Sequence, residues 1–316
     1  MRRAVGPSRR HGLTPQLREA PACQNCRHDD DHTPMIVVTG STGHVGRLVA
    51  EELFELGAEF RLVVRDPSRA PEFPGAEVVT ADYGRPDLLA EALGEGDRVF
   101  MVSLHEGPDR RVPLHRSFAE AAARAGVAQI VYLSFANAAP GATFVHARSH
   151  GATEEILAGS GVPWTAIRNT MYADHIPGWF DPDGIAREPL GEARMSFSYR
   201  PELAKAIAVT LTEPGHAEQV YDITTPESVS LGELARIAAE VTGDPYGYEP
   251  ATDGEWDERW RADGHSGWEL EAGHTAYEAI RNGELDVVTD DYRRLTGLEP
   301  LTVAAILERH ADELPL

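Results

Sequence analysis

Short apolar segments alternate with segments of helical periodicity from Met35 onward. The segments predicted to be strands cover residues 35–39, 60–65, 76–81, 97–103, 128–134 and 163–168. Between them, apolar residues recur every three or four positions over 44–57, 86–93, 110–125 and 146–159, which predicts helices. The strands are apolar almost throughout, as expected where helices cover both faces of a parallel sheet. This alternation predicts a doubly wound α/β domain.

The alternation loosens after Arg168. We predict a helix at 200–212, a strand at 219–224 that returns to the main sheet, and helices at 230–243, 274–282, 287–296 and 302–310. We therefore assign residues 35–168, with strand 219–224, to a nucleotide-binding domain. Residues 169–200 and 227–316 are assigned to a smaller, mostly helical C-terminal substrate lobe.

The first 34 residues have a different composition from the rest. They contain six arginines and four acidic residues with no periodic apolar face, so we predict a disordered N-terminal extension over 1–34. Cys23 and Cys26, followed by His28 and His32, are residue types that zinc prefers. Because no predicted strand or helix surrounds them, we favour incidental cysteines and predict no metal site. The absence of cysteine after Cys26 suits a cytoplasmic protein.

Charge and hydropathy exclude some function classes. The formal net charge of −22 argues against nucleic-acid binding, which needs a basic surface to displace counterions from phosphates. The chain has no uninterrupted apolar segment long enough to cross a membrane. A small-molecule substrate is therefore expected as the partner, with a homodimer left open.

The segment IVVTGSTGHVG, residues 36–46, joins the first predicted strand to the first predicted helix. Gly40 permits the tight turn, Gly43 lets the backbone approach a pyrophosphate, and Gly46 lets the helix pack closely. This context indicates a dinucleotide fingerprint, and hence a Rossmann-type sheet. The predicted cofactor contacts around it are Gly40, Ser41, Thr42, Gly43, His44, Val45 and Gly46, with Ser103 and Leu104 at the end of the fourth strand.

The second strand ends in Arg65, with Arg69 close behind. An NAD-binding protein usually has Asp or Glu there to accept hydrogen bonds from the ribose, whereas a guanidinium suits the 2′-phosphate of NADP(H). Asp66 is an opposing charge, but we predict that NADPH is preferred over NADH. Asp82, at the end of the third strand, is placed either to meet the adenine edge or to cap the following turn.

Several segments resemble the atypical short-chain dehydrogenase/reductases. They are VVTGSTGHVG, LVVRDPSRA, AAARAGVAQIVYLS, SGVPWTAIRNTMY and YRPELAKAIAVTLTEPG. The resemblance is greatest to the NmrA-like group that includes NAD(P)H:quinone oxidoreductase type 2 and azoreductase-like proteins. It runs from Met35 to about Val241 and continues more weakly beyond. It implies a Rossmann fold and an NAD(P)H cofactor.

Ordinary members of that superfamily use a serine and a Tyr-x-x-x-Lys motif for proton transfer and ribose binding. Ser134 matches the serine; if Glu154 is the acid four residues past the lysine, His146 and His150 take the tyrosine and lysine positions. No tyrosine of this chain has a lysine four residues on. The resemblance thus implies Ser134, His146 and His150 as catalytic candidates, with His150 on the ribose. The alternative for His146 is a polar helix face lining a cleft; His105 and His115 are expected in a loop and on a helix surface.

The missing Tyr-Lys pair bears on the substrate. Reducing a ketone leaves an alkoxide, which needs a positioned proton donor, whereas a reduced quinone leaves a phenolate with a pKa of about 10 that water can protonate. We therefore predict hydride transfer from NADPH to a quinone-like or other planar electrophilic acceptor, without flavin. Phe135, Asn169 and Tyr172 are expected to line the acceptor slot. The alternative is a non-catalytic NADP(H) sensor that acts through a protein partner.

Overall fold

The computed structural model describes residues 34–265 and 267–316, which belong to one compact unit. The predicted extension up to residue 33, including Cys23 and Cys26, lies outside the described residues. Among the helices described, none is long and apolar enough to cross a membrane.

The strands alternate with helices as predicted. They are β1 (Ile36–Thr39), β2 (Phe60–Val64), β3 (Glu77–Thr80), β4 (Arg98–Met101), β5 (Gln129–Phe135), β6 (Trp164–Asn169), β7 (Met171–Tyr172), β8 (Ile185–Ala186), β9 (Arg194–Met195), β10 (Phe197–Ser198), β11 (Gln219–Asp222), β12 (Val229–Ser230) and β13 (Gly247–Tyr248). The helices are α1 (His44–Glu55), α2 (Pro86–Ala92), α3 (Pro108–Ala125), α4 (Val145–Ala158), α5 (Arg200–Thr212), α6 (Leu231–Thr242), α7 (Asp253–Ala262), α8 (Trp268–Arg281), α9 (Asp291–Thr296) and α10 (Val303–Arg309).

A parallel sheet of order β11-β6-β5-β4-β1-β2-β3 forms the centre of the described chain. This confirms the predicted doubly wound α/β class. The strand predicted at 219–224 is β11, and it lies at the sheet edge beside β6. The chain order reverses between β1 and β4, and doubly wound sheets bind ligands above the carboxyl ends of their strands at such a point.

Helices cover both faces of the sheet. On one face α1 packs beside α5 around apolar residues such as Val49, Leu53 and Leu203. On the other face α2, α3 and α4 pack side by side around Leu89, Phe118 and Leu157. Burial on both faces explains why the strands read as continuous apolar runs.

A third apolar cluster lies mainly in the C-terminal part, where α6, α8 and α10 contribute 11 of its 27 buried residues. Helix α6 begins with a capping box, in which Ser230 and Glu233 bond each other's backbone, and ends at left-handed Gly243. Two predicted bounds were wrong, since α8 begins at Trp268 rather than 274 and α9 begins at Asp291 rather than 287.

Helix α7 was not predicted, because its sequence has no apolar stripe. Its start is determined locally by the capping box of Thr252 and Glu255. Its buried side chain is Trp256, whose ring lies so close to Gly273 of α8 that no Cβ would fit there. One large aromatic residue thus anchors α7 in place of a periodic face.

Candidate active site

Two adjoining cavities cross the carboxyl ends of the strands at the switch point between β1 and β4. One has a volume of about 510 Å³ and extends over β5, β6 and α4. The other, of about 400 Å³, extends over β2 and β3. They share six lining residues, Gly40, Gly43, Val102, Ser103, Leu104 and His105. We call the first the acceptor cavity and the second the nucleoside cavity; together they form one groove across the switch point.

The glycine loop has the geometry of a phosphate cradle. Gly40 has a positive φ of 68°, and a Cβ there would collide with Val102. A Cβ on Gly46 would collide with the carbonyl oxygen of Gly40, so these two glycines allow α1 to start directly against the loop. No side chain caps the start of α1, and its first turn has no acidic residue. The free amides and the helix dipole therefore favour an anion at this point.

The nucleoside cavity is lined by Arg65, predicted to select the cofactor, and by Asp82, predicted to meet the adenine edge or to cap a turn. Arg65 is exposed and lines it, without an ion-pair partner in the part of the chain that the structure describes. The neighbouring Asp66 accepts hydrogen bonds from the backbone and the hydroxyl of Ser68, at 3.0 and 2.7 Å, which lower its pKa. Asp82 lines the cavity and also caps a turn, since its carboxylate accepts from Gly84 N at 2.6 Å.

Most of the other predicted contacts line the groove. Thr42 faces the nucleoside cavity, and the acceptor cavity is lined by His44, Val45, Gly46, Phe135, His146, His150, Asn169 and Tyr172. Ser41 is fully buried and lines neither cavity. Ser134 is also fully buried, and its hydroxyl donates to Glu154 Oε1 at 2.6 Å, on the side where Glu154 pairs with Arg168. Side chains alternate along a strand, so Leu133 and Phe135 line the cavity and the predicted Ser134 does not.

Both histidines of α4, His146 and His150, line the acceptor cavity, and both are neutral. His150 is 7% exposed, and its Nδ1 lies 2.8 Å from the Tyr132 hydroxyl. Burial, with a further contribution from Arg111, lowers the pKa of His150 well below its usual value. Burial, then Arg111 and His105, lower the pKa of His146 to about 3. Both imidazoles are therefore uncharged at neutral pH.

Two residues of α3 contribute to the site although the sequence did not reveal them. His115 was expected on a helix surface, but it is fully buried: it accepts from Leu104 N at 3.3 Å, and its Nδ1 lies 2.9 Å from Thr153 Oγ1. Arg111 lines the acceptor cavity and donates to Ser149 Oγ at 3.0 Å. Their spacing of four, in line with Phe118 and Ala122, places them on the buried face of α3, and that periodicity was the available signal.

Aromatic and polar side chains complete the wall of the acceptor cavity. Phe135 and Phe144 meet edge to face with ring centroids 5.1 Å apart. Tyr172 lies beneath Arg200, whose guanidinium carbon is 5.7 Å from the ring centroid, and burial raises the pKa of Tyr172 to about 12. Arg200 itself forms an ion pair with Asp174. The cavity is thus mainly apolar, with a few directed polar groups.

Comparison with known proteins identifies the family. Residues 40–214 match the model of a family described as NAD(P)H-binding. The chain belongs to this family. It is 29% identical to an NAD(P)H azoreductase of Xenophilus azovorans over 88% of this chain and 98% of that protein. It is 30% identical to quinone oxidoreductase 2 of Escherichia coli, over 68% of this chain and 77% of that one.

A solved structure gives the same result for the fold. The NADPH-dependent quinone oxidoreductase of Escherichia coli, complexed with NADPH, superposes with a TM-score of 0.80 at 27% identity, covering 88% of this chain and all of that one. The resemblance to NmrA-like atypical short-chain dehydrogenase/reductases is confirmed. The chain is an NAD(P)H-dependent oxidoreductase.

Proposed function

We propose that this oxidoreductase transfers hydride from NADPH directly to a quinone-like or other planar electrophilic acceptor, without flavin. The observation that carries the proposal is the neutral state of the two histidines at the tyrosine and lysine positions. A histidine with a pKa of about 3 holds almost no proton to donate at neutral pH. The acceptor must therefore be one whose reduced form needs no strong acid.

Quinones meet this requirement. The cofactor, when bound, supplies a hydride, and a quinone that takes it up becomes a hydroquinone monoanion. The conjugate acid of that anion has a pKa of about 10, as a phenol does, so water can protonate the anion. The residues of the chain need only hold the two reactants in contact and exclude competing orientations, which by itself lowers the barrier substantially.

The cavity wall supports a planar acceptor. Phe135, Phe144 and Tyr172 provide flat apolar surfaces around the volume of about 510 Å³, which is within the range of small-molecule pockets. In the tautomer in which Tyr132 donates to Nδ1, the neutral His150 presents an Nε2–H donor, which suits a ribose hydroxyl of the cofactor. His146, further along the same helix face, then borders the acceptor.

We also propose that NADPH is preferred over NADH. Arg65 is free to meet a 2′-phosphate in the nucleoside cavity, because Asp66 is engaged by Ser68. Charge-assisted hydrogen bonds between a guanidinium and a phosphate are among the stronger polar contacts in proteins.

The test is NADPH oxidation, followed by absorbance, with a panel of quinones and azo compounds and with simple ketones as the control. We expect turnover with quinones in the absence of flavin, and no increase in rate when flavin is added. We expect no turnover with ketones. Tight NADPH binding with no turnover of any acceptor would refute the proposal and favour the sensor.

A further inference from the structure

Arg111 is a buried positive charge with no carboxylate bound to it among the described residues. Its side chain lines the acceptor cavity, yet the residue is only 4% exposed. Within the described residues it forms no ion pair, and its Nε is buried with no hydrogen-bond partner. Its hydrogen bond goes to the neutral hydroxyl of Ser149. The nearby carboxylate of Glu106 pairs instead with Arg110, at 3.2 Å.

A buried cation without a counter-charge is costly, because it has lost water and gained no equivalent partner. The histidines around it do not compensate, since each is neutral and would repel Arg111 if protonated. The other arginine of the cavity, Arg200, shows the usual solution, an ion pair with Asp174. Arg111 is therefore poised to receive an anion that enters from the cavity.

The phosphates of the cofactor are expected at the start of α1, beside the glycine loop. Arg111 is held against α4, because its side chain lines the acceptor cavity but not the nucleoside cavity and donates to Ser149 of that helix. His175 is influenced by Arg200, Asp174 and His44, the first residue of α1 at the glycine loop. Arg111 acts on His115, His146 and His150 on the α3 and α4 side. Since the pyrophosphate is expected at α1 and Arg111 bonds α4 near His146 and His150, we place Arg111 on the acceptor side.

We propose that Arg111 recognises an anionic oxygen group on the acceptor, so that planar electrophiles bearing a carboxylate, sulfonate or phosphate ester are the preferred substrates. This inference rests on the proposed function and adds the substrate class to it. The planar part of the acceptor lies against the aromatic wall, and its anionic group bonds the free edge of the guanidinium, whose planar geometry matches two oxygens.

The test compares para-naphthoquinone with its sulfonate derivative in the unaltered enzyme and in Arg111→Gln. We expect the ratio of kcat/KM, sulfonate over neutral, to fall by ~10- to 100-fold in the variant, as for loss of a charged hydrogen bond, with Kd for NADPH unchanged. Arg116→Gln is the matched control, because Arg116 lies exposed on the same helix and lines neither cavity of the groove; its ratio should not change. Equal losses for both quinones, or a raised Kd for NADPH, would refute the assignment.

A second measurement needs no variant. Naphthalene sulfonate and the uncharged naphthalene sulfonamide are titrated by calorimetry into the unaltered protein loaded with NADP⁺. We expect tighter binding of the sulfonate, with the difference shrinking as salt is added; equal affinities would overturn the proposal even if Arg111→Gln does not fold. If neither quinone is reduced, the proposed function fails, whereas calorimetry still decides the role of Arg111.

Discussion

Replacement of Arg65 by aspartate should reverse the cofactor preference. The unaltered side chain is exposed in the nucleoside cavity and free of ion pairs among the described residues, so its whole hydrogen-bonding capacity is available to a 2′-phosphate. Loss of one charged contact is expected to cost ~1.5–3 kcal/mol, or about 10- to 150-fold in Kd for NADPH. The new carboxylate also repels the 2′-phosphate of NADPH and can accept hydrogen bonds from the ribose hydroxyls of NADH. Both effects shift the ratio of the two Kd values further towards NADH.

The assay is a pair of titrations, with NADPH and NADH, by quenching of tryptophan fluorescence. Arg236→Asp is the control: it makes the same change in net charge on α6, where Arg236 is exposed and pairs with Glu240. The NADPH affinity of the unaltered protein should weaken with salt more steeply than that of Arg65→Asp, because an exposed charge pair is screened. Equal affinity of the unaltered protein for both cofactors, or a ratio unchanged by Arg65→Asp, would refute the reasoning.

Four further outcomes follow from the site. His146→Phe should reduce kcat with a quinone by less than ~10-fold, because a neutral imidazole is not the proton donor; a loss of ~10²–10⁴-fold would show that it is. His150→Ala should raise Kd for NADPH, measured by the same titration, and an unchanged Kd would contradict a ribose contact. Gly46→Ala should weaken NADPH binding and lower Tm, because its Cβ meets the Gly40 carbonyl, whereas Gly141→Ala, in open space, should do neither. The pKa of about 3 for buried His115 lies below its unfolded value, so stability is lost as pH falls below ~6.5. In urea unfolding, His115→Gln should reduce the pH dependence of the unfolding free energy by up to ~1.4 kcal/mol per pH unit. The same pH dependence in the variant and the unaltered protein would contradict this prediction.

Local sequence patterns predicted most of the fold. Apolar runs predicted β1 to β6 and helical periodicity predicted α1 to α6, because each pattern reports a burial that repeats along one element. The glycine loop was also predictable, since the turn at Gly40 and the contact between Gly40 and Gly46 both lie at the junction of one strand and the next helix. Prediction weakened at α7, where one buried tryptophan replaces a periodic face.

The charges of the site were decided only by tertiary packing. In the sequence, Arg111 is one of two adjacent arginines and His115 is one polar residue of a helix. Whether each side chain meets water depends on how α3 packs against α4, and that packing buries Arg111 while Arg110 stays exposed beside Glu106. Likewise Ser134 and Phe135 are neighbours in the chain, yet the pleat sends one to Glu154 and the other to the cavity. The periodicity of α3 could indicate its buried face, but the partners and the protonation of these side chains depend on distant segments meeting, which residue type and spacing do not contain.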